Sequence, residues 1–185
     1  YEVAYGWYED PEFAWVLEYN YRQRPRACVE ALLYGRERLR DTAEFGTVGT
    51  NLEPSGLALL RSGDLATQNY LLLKYGPHGG GHGHPDKLSL SFYACGHPVA
   101  PDLGTPGYGM DLNQSWYRQS LSHNTVVVDG CSQPEAQGRL QAFDSGADSA
   151  FGLADAQVDW EEAPYEGIEM RRVILWTAGY FIDFF

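Results

Sequence analysis

Between residues 79 and 102 the chain reads Gly-Gly-Gly-His-Gly-His-Pro-Asp-Lys-Leu-Ser-Leu-Ser-Phe-Tyr-Ala-Cys-Gly-His-Pro-Val-Ala-Pro-Asp. His82, His84 and Asp86 fall within five residues, just before an alternating apolar run that returns through Gly96-His97-Pro98 to Asp102. Two imidazoles and two carboxylates around one hairpin suit a metal site or an acid/base site. Side chains two apart on an extended chain point the same way, so His82 and His84 share a face there, although Pro85 interrupts the register. Zinc accepts three protein ligands of imidazole and carboxylate type, and a hairpin flanked by His84 and Asp102 can bring its two ends together. The same pattern also describes a glycine-rich surface loop with solvated histidines, and His-x-His by itself does not separate the two.

A second group lies in Ser122-His123-Asn124-Thr125-Val126-Val127-Val128-Asp129-Gly130, which reads as the entry to a β-branched strand ending in an Asp-Gly turn. His123 is the candidate third ligand beside His84 and Asp102; the plainer reading is a hydrogen-bonded structural histidine. Asn124 is a donor suited to orienting its neighbours. Between the two groups, Tyr108 sits between glycines on the loop after Asp102, and Trp116-Tyr117-Arg118 follows. A phenol on such a loop can donate or accept a proton, and a guanidinium such as Arg118 pairs readily with a carboxylate. A loop-packing tyrosine and a surface arginine are the alternatives.

These residues need a scaffold. With 185 residues the chain can bury one good core, or one domain and part of another. Its thirteen Tyr, eight Phe and five Trp suit a core and also suit sugar-binding clefts. A formal charge of −12 counts against nucleic acid or an anionic membrane surface as partners, so any site for an acidic substrate must be a local cationic patch. Cys28, Cys95 and Cys131, odd in number and irregular in spacing, give neither a disulfide framework nor a CxxC zinc site, and a single bridge stays open. No apolar run reaches the length of a membrane-crossing helix. The chain opens at Tyr1 and closes within Phe-Ile-Asp-Phe-Phe, mid-strand by pattern, as expected of an excerpt from a longer protein.

The spacing predicts a helix over 10–23, with Asp10 at the cap, Pro11 in the first turn, and Phe13, Val16, Leu17 and Tyr21 on one face. A second helix is expected over 25–39, giving a helical hairpin too small to stand alone. From about Asn51 short runs are punctuated by Gly, Pro, Asn and Asp. Strands are expected at 56–61, 68–75, 87–95, 98–101, 125–129, 138–142, 150–156, 170–176 and 180–185. Many such strands with no long helix between them indicate a mainly β fold, an antiparallel β-sandwich. The boundary between the helical and β parts is expected within 41–50, dividing the chain at 1–45 and 46–185.

The order of His-Gly-His-Pro-Asp-Lys-Leu-Ser, Asp102-Leu-Gly-Thr-Pro-Gly-Tyr108 and Trp-Tyr-Arg-Gln-Ser-Leu-Ser-His123-Asn124-Thr-Val-Val-Val-Asp-Gly resembles the heparinase II/III-like polysaccharide lyases, and most of all their oligoalginate-lyase members. Met170-Arg-Arg-Val-Ile-Leu-Trp and Tyr180-Phe-Ile-Asp183 also fit that family's β-sheet domain, while residues 1–50 resemble it loosely. The resemblance implies the last helices of an incomplete (α/α) toroid followed by the β-sandwich, with the substrate cleft between them. It implies a structural zinc on His84, Asp102 and His123, with Asp86 as an outer partner of a ligating histidine. It also implies a catalytic His82 and a catalytic Tyr108, with Tyr117 the alternative to Tyr108, and Arg118, Tyr117 and Asn124 on the substrate side. The Asn-His pair and further Tyr that such lyases carry on the toroid have no match in this chain.

The implied reaction is β-elimination on a uronate-containing glycan, alginate oligosaccharides foremost, in a bacterial periplasmic or secreted protein; a homodimer is compatible with all of this. Heparin or heparan sulfate is the competing substrate class. Sulfated glycans favour a denser Lys/Arg lining than Lys87 and Arg118 provide, which tilts the reading toward unsulfated uronates. A non-catalytic carbohydrate-binding β-sandwich is the alternative of a different kind. A zinc hydrolase would need an open metal position and a carboxylate base beside it.

Overall fold

The computed structural model describes residues 1–22, 24–40, 42, 48–63, 68–146, 151–177 and 179–185. The chain divides into two compact units, Tyr1–Gly46 and Thr47–Phe185. Much of the expected boundary region, residues 41 and 43–47, lies outside the described residues.

The first unit holds α1 (Glu2–Tyr8), α2 (Pro11–Tyr21) and α3 (Val29–Tyr34). α2 begins where the sequence places it. Asp10 caps it by accepting the Glu12 amide at 2.8 Å, and Pro11 occupies the first turn, where a missing N–H costs nothing. Ala14 and Leu17 meet Tyr5 of α1 in a small core, with Phe13, Tyr21 and Leu39 packed around it. The expected helix over 25–39 shrinks to the six residues of α3. Its cap residue Cys28 supplies no side-chain hydrogen bond, and Gly35 is extended. Arg26 is held outside any helix by a fork to Glu2, at 2.6 Å on both arms, and by the Arg36 carbonyl at 2.8 Å. The short α1 had no separate signal in the sequence. Trp7, Tyr8, Leu32 and Leu33 stay exposed on this unit.

The second unit is built from two antiparallel sheets. The first runs β1 (Thr50–Leu52), β2 (Leu57–Ser62), β3 (Asn69–Lys74), β4 (Ser89–Ala94) and β5 (His97–Ala100), each strand beside the next. The second runs β6 (Arg139–Asp144), β7 (Phe151–Asp159), β8 (Glu169–Thr177) and β9 (Phe181–Phe184) in the same simple order. Alternation decides which faces meet. Ala58 and Leu60 of β2 and Leu71 and Leu73 of β3 turn inward, and so do Ala154, Ala156 and Val158 of β7 and Ile174 and Trp176 of β8. These residues form one core shared by both sheets, so the mainly β, antiparallel sandwich expected from the sequence is what the chain adopts. Where the sheets come closest, Gly152 leaves room for Leu60, whose Cδ2 would stand only 3.0 Å from a Cβ at that position.

Two strand assignments differ. β1 is a short edge strand that the sequence did not announce. Residues 125–129, expected as a β-branched strand, form only the isolated bridge Val128–Cys131. Side chains satisfy that backbone in place of a ladder: Gln133 Nε2 donates to the Val126 carbonyl at 3.3 Å, and the Val128 amide donates to the Tyr165 hydroxyl at 2.9 Å. The expected strand over 150–156 begins on Ala150, which lies outside the described residues, and β7 continues to Asp159.

Leu60 is fully buried between the sheets. Leu60→Ala should therefore destabilise the β unit by about 2–5 kcal/mol in denaturant unfolding; a loss below about 1 kcal/mol would mean that this contact does not bear on the sandwich.

Candidate functional site

The candidate residues cluster at one end of the first sheet, where β3 and β4 pair with Lys74 opposite Ser89. The connection between them carries the glycine-histidine stretch. It turns through a short 3₁₀ segment, Gly80–His82, and returns at Leu88, whose amide donates to the Lys74 carbonyl at 2.8 Å. Gly83 is buried against the His78 carbonyl, and a Cβ there would collide with it. Glycine between the two histidines is thus a packing requirement. Ser120 and Gln133 hold the outside of the loop: Ser120 Oγ donates to the Pro85 carbonyl, and Gln133 Oε1 accepts the Lys87 amide at 2.7 Å.

Inside this frame, His84, Asp86 and His123 each offer a ligand atom within 4.8 Å of the others. The His84 and His123 rings lie 5.3 Å apart, centroid to centroid. Asp102 Oδ2 is 3.3 Å from His123 Nδ1, close enough for an ion pair yet not aligned as a hydrogen bond, so both nitrogens of His123 lack a hydrogen-bond partner. Asp86 Oδ1 is likewise buried and unpartnered. Buried polar atoms are rarely left so, and imidazole nitrogens facing carboxylate oxygens are the donor set a zinc ion takes. Ligand atoms held at about 2.0–2.1 Å from a tetrahedral zinc stand about 3.3–3.4 Å apart, the separation found between Asp102 and His123. These residues fit a metal. The structure gathers His84, Asp86 and His123 into one group, and Asp102, the carboxylate of the expected set, stands beside His123.

Electrostatics reinforce the cluster. The imidazole of His123 draws the Asp102 carboxyl down to about 2 against the opposing effect of burial, with the Gly104 amide helping. Burial, and next the neighbouring His123, lower the pKa of His84 and favour the neutral ring that binds metals. Asp86 Oδ2 pairs with Lys74 Nζ at 2.5 Å, while Oδ1 stands 3.9 Å from Lys87 Nζ. Lys87 itself is fully buried, and burial pushes its amine down to about 8 against the pull of Asp86. Its Nζ donates to the Pro77 carbonyl at 3.3 Å. Lys87 therefore serves the frame and not the substrate side, where the sequence reading had counted it.

Above the cluster opens a cleft of about 320 Å³, lined among others by Lys74, His82, Asp102, Tyr108, Asn113 and Arg118. His82 and Tyr108, far apart in sequence, share a 2.5 Å hydrogen bond between Nδ1 and the hydroxyl, with the rings edge to face. Both are exposed. Arg118 Nη2 donates to the Gly83 carbonyl at 3.0 Å, which steadies its guanidinium at the wall. Two of the sequence candidates are placed elsewhere. Tyr117, which closes a π-helical turn, Asn113–Tyr117, is not among the lining residues. Asn124 is not among them either: its amide donates to the Leu90 carbonyl at 3.0 Å and the Pro101 carbonyl at 3.3 Å, so it joins β4 to the start of the Asp102 loop. Its place is structural, in keeping with a donor that orients its neighbours. Lys74 and Asn113 were missed. Lys74 carries no local signal, since only the β3–β4 register brings it to the site.

Comparison with known proteins bears on the family and the fold. An alginate lyase of Stenotrophomonas maltophilia is 38% identical over 139 residues, covering 67% of this chain and 18% of that protein. A heparin-sulfate lyase of Pedobacter heparinus is 24% identical over 152 residues, covering 75% of this chain and 23% of that protein. The chain thus spans about a fifth of the length of these relatives. The crystal structure of a heparan sulfate lyase from Pedobacter heparinus superimposes with a TM-score of 0.67 at 20% identity, covering 94% of this chain and 27% of that one, which shows a common fold. The family model described as heparinase II/III-like, C-terminal, matches residues 47–182. With most of its length matched, and with the sandwich that the match implies, this chain belongs to the heparinase II/III-like C-terminal family.

Proposed function

We propose that the chain is the C-terminal part of a polysaccharide lyase that cleaves uronate-containing glycans by β-elimination, alginate oligosaccharides foremost, with a structural zinc in the β unit. The observation that carries this reading is the His82–Tyr108 pair on a cleft that also presents Lys74 and Arg118. In β-elimination a base removes the C5 proton beside the uronate carboxylate. The electron pair left behind forms the C4–C5 double bond, and the C4–O bond breaks as a proton reaches the leaving oxygen. The C5 proton is weakly acidic, so cations at the carboxylate are needed to stabilise the enolate-like charge. Arg118 and Lys74 are the cleft groups suited to that work. Tyr108, hydrogen-bonded to His82, is placed to move a proton, with the imidazole tuning or relaying it. Exposure of both residues suits a glycan that arrives from solvent.

Zinc would be held by His84, Asp102 and His123, with Asp86 beside them. It would supply folding energy and fix the loops that carry His82 and the Asp102 segment. Among the described residues of the cluster, Asp86 is paired to Lys74 and Asp102 to His123, so neither carboxylate is free to serve as a hydrolytic base. The helical unit, with Trp7, Leu32 and Leu33 exposed, is read as the last helices of an (α/α) toroid. Heparan sulfate is the second reading of the substrate, favoured by the relative from Pedobacter heparinus. Two cleft cations and a 38% identical alginate lyase favour the unsulfated uronate.

The full-length protein should raise ultraviolet absorbance on polymannuronate or polyguluronate, because elimination creates an unsaturated uronate and hydrolysis does not. Tyr108→Phe should lower that rate by about 10²–10⁴-fold, whereas Tyr117→Phe should leave it near the starting value. Glycan binding without any absorbance rise on alginates or heparan sulfate would replace the lyase by a binding module. Metal analysis should find stoichiometric zinc, and its removal by a chelator should lower the melting temperature; a protein free of zinc after refolding with the ion present would sink the metal assignment. Asp102→Asn should weaken zinc binding more than Asp86→Asn, and the reverse order would make Asp86 the carboxylate ligand.

A further inference from the structure

Arg172 lies in the middle of β8, buried on the inward face between Met170 and Ile174, which belong to the apolar core. Its guanidinium is buried, and each of its three nitrogens donates a hydrogen bond. Nε and Nη2 fork onto the carboxylate of Asp183 on β9, at 2.9 and 2.6 Å. Nη1 donates to two main-chain carbonyls, Leu88 and Asn124, at 2.6 Å each. Burying an ion pair is a poor route to stability, since a well-packed apolar side chain often does as well. An apolar side chain could not hold two carbonyls at a set separation.

The identity of those carbonyls gives the arrangement its meaning. Leu88 follows Asp86 by two residues, and its backbone is left-handed at φ +57°, a conformation that leucine rarely adopts. Asn124 directly follows His123. One nitrogen of Arg172 therefore joins the strand entry that carries His84 and Asp86 to the turn that carries His123, and the fork to Asp183 ties both to the second sheet. Resting on the metal reading above, we propose that Arg172 is a positioning residue for the metal site: it sets the distance between the His84–Asp86 segment and His123, with Asp183 as its anchor.

The test measures the zinc dissociation constant by chelator competition in the full-length protein and in three variants, at a temperature where circular dichroism shows each one folded. Arg172→Lys keeps the charge but loses the planar fork that reaches both carbonyls, and should weaken zinc about 10–100-fold, as loss of an outer partner commonly does. Ile174→Ala, on the same strand and facing the same core, should lower the melting temperature yet leave zinc affinity within about twofold, since an isoleucine side chain makes no hydrogen bond to either segment. If Arg172→Lys does not fold, Asp183→Asn takes its place, keeping the arginine while removing its anchor, and should also weaken zinc more than Ile174→Ala does. Zinc affinity in the Arg172 or Asp183 variant no lower than in Ile174→Ala would overturn the positioning role and leave the metal site standing. Failure of the unaltered protein to bind zinc would remove the metal site and this role with it.

Discussion

A guanidinium inside a β-sandwich must find acceptors for its donors, and the solution found for Arg172 runs through much of the unit. Its fork on Asp183 binds β8 to β9, and its remaining nitrogen reaches the first sheet at Leu88 and the turn at Asn124. Phe185 covers the guanidinium at 4.6 Å. Apolar burial brings the sheets together without direction, but this one cation gives their approach a direction and a register.

The site that grows from this frame separates into two environments. Asp86 and His123 sit beneath the surface, where unpartnered nitrogens and oxygens are costly and a cation is welcome. His82 and Tyr108 stand in the open a few residues away, where a large substrate can approach. Such a division suits an ion that organises loops and a proton-moving pair that works on them. The same glycine-rich loop serves both: Gly83 packs against the backbone of His78 while His82 and His84 leave it toward the cleft and the buried cluster, respectively. Lys74 connects the two environments, lining the cleft while neutralising one oxygen of Asp86.

What the residues determined alone was whatever depends on neighbours in sequence. Asp10 followed by Pro11 sets the start of α2, and alternation along β2, β3, β7 and β8 sets which side chains turn inward. The same holds for the His-Gly-His loop and for the motif order that pointed to the family. What needed the tertiary structure was every feature made by distant partners. Residues 125–129 carry strand-forming side chains, yet Gln133 and Tyr165 claim their partly buried backbone groups in place of a neighbouring strand. The helix expected over 25–39 shortened because Arg26 bonds to Glu2, 24 residues away. Lys74 joins the cleft lining through strand pairing, Asp86 meets His84 and His123 through loop closure, and the Asn124 amide bridges two backbone carbonyls. Periodicity and caps act over a few residues and can be read along the chain; the pairing of buried polar groups acts across it, and only the folded arrangement decides which partner each one takes.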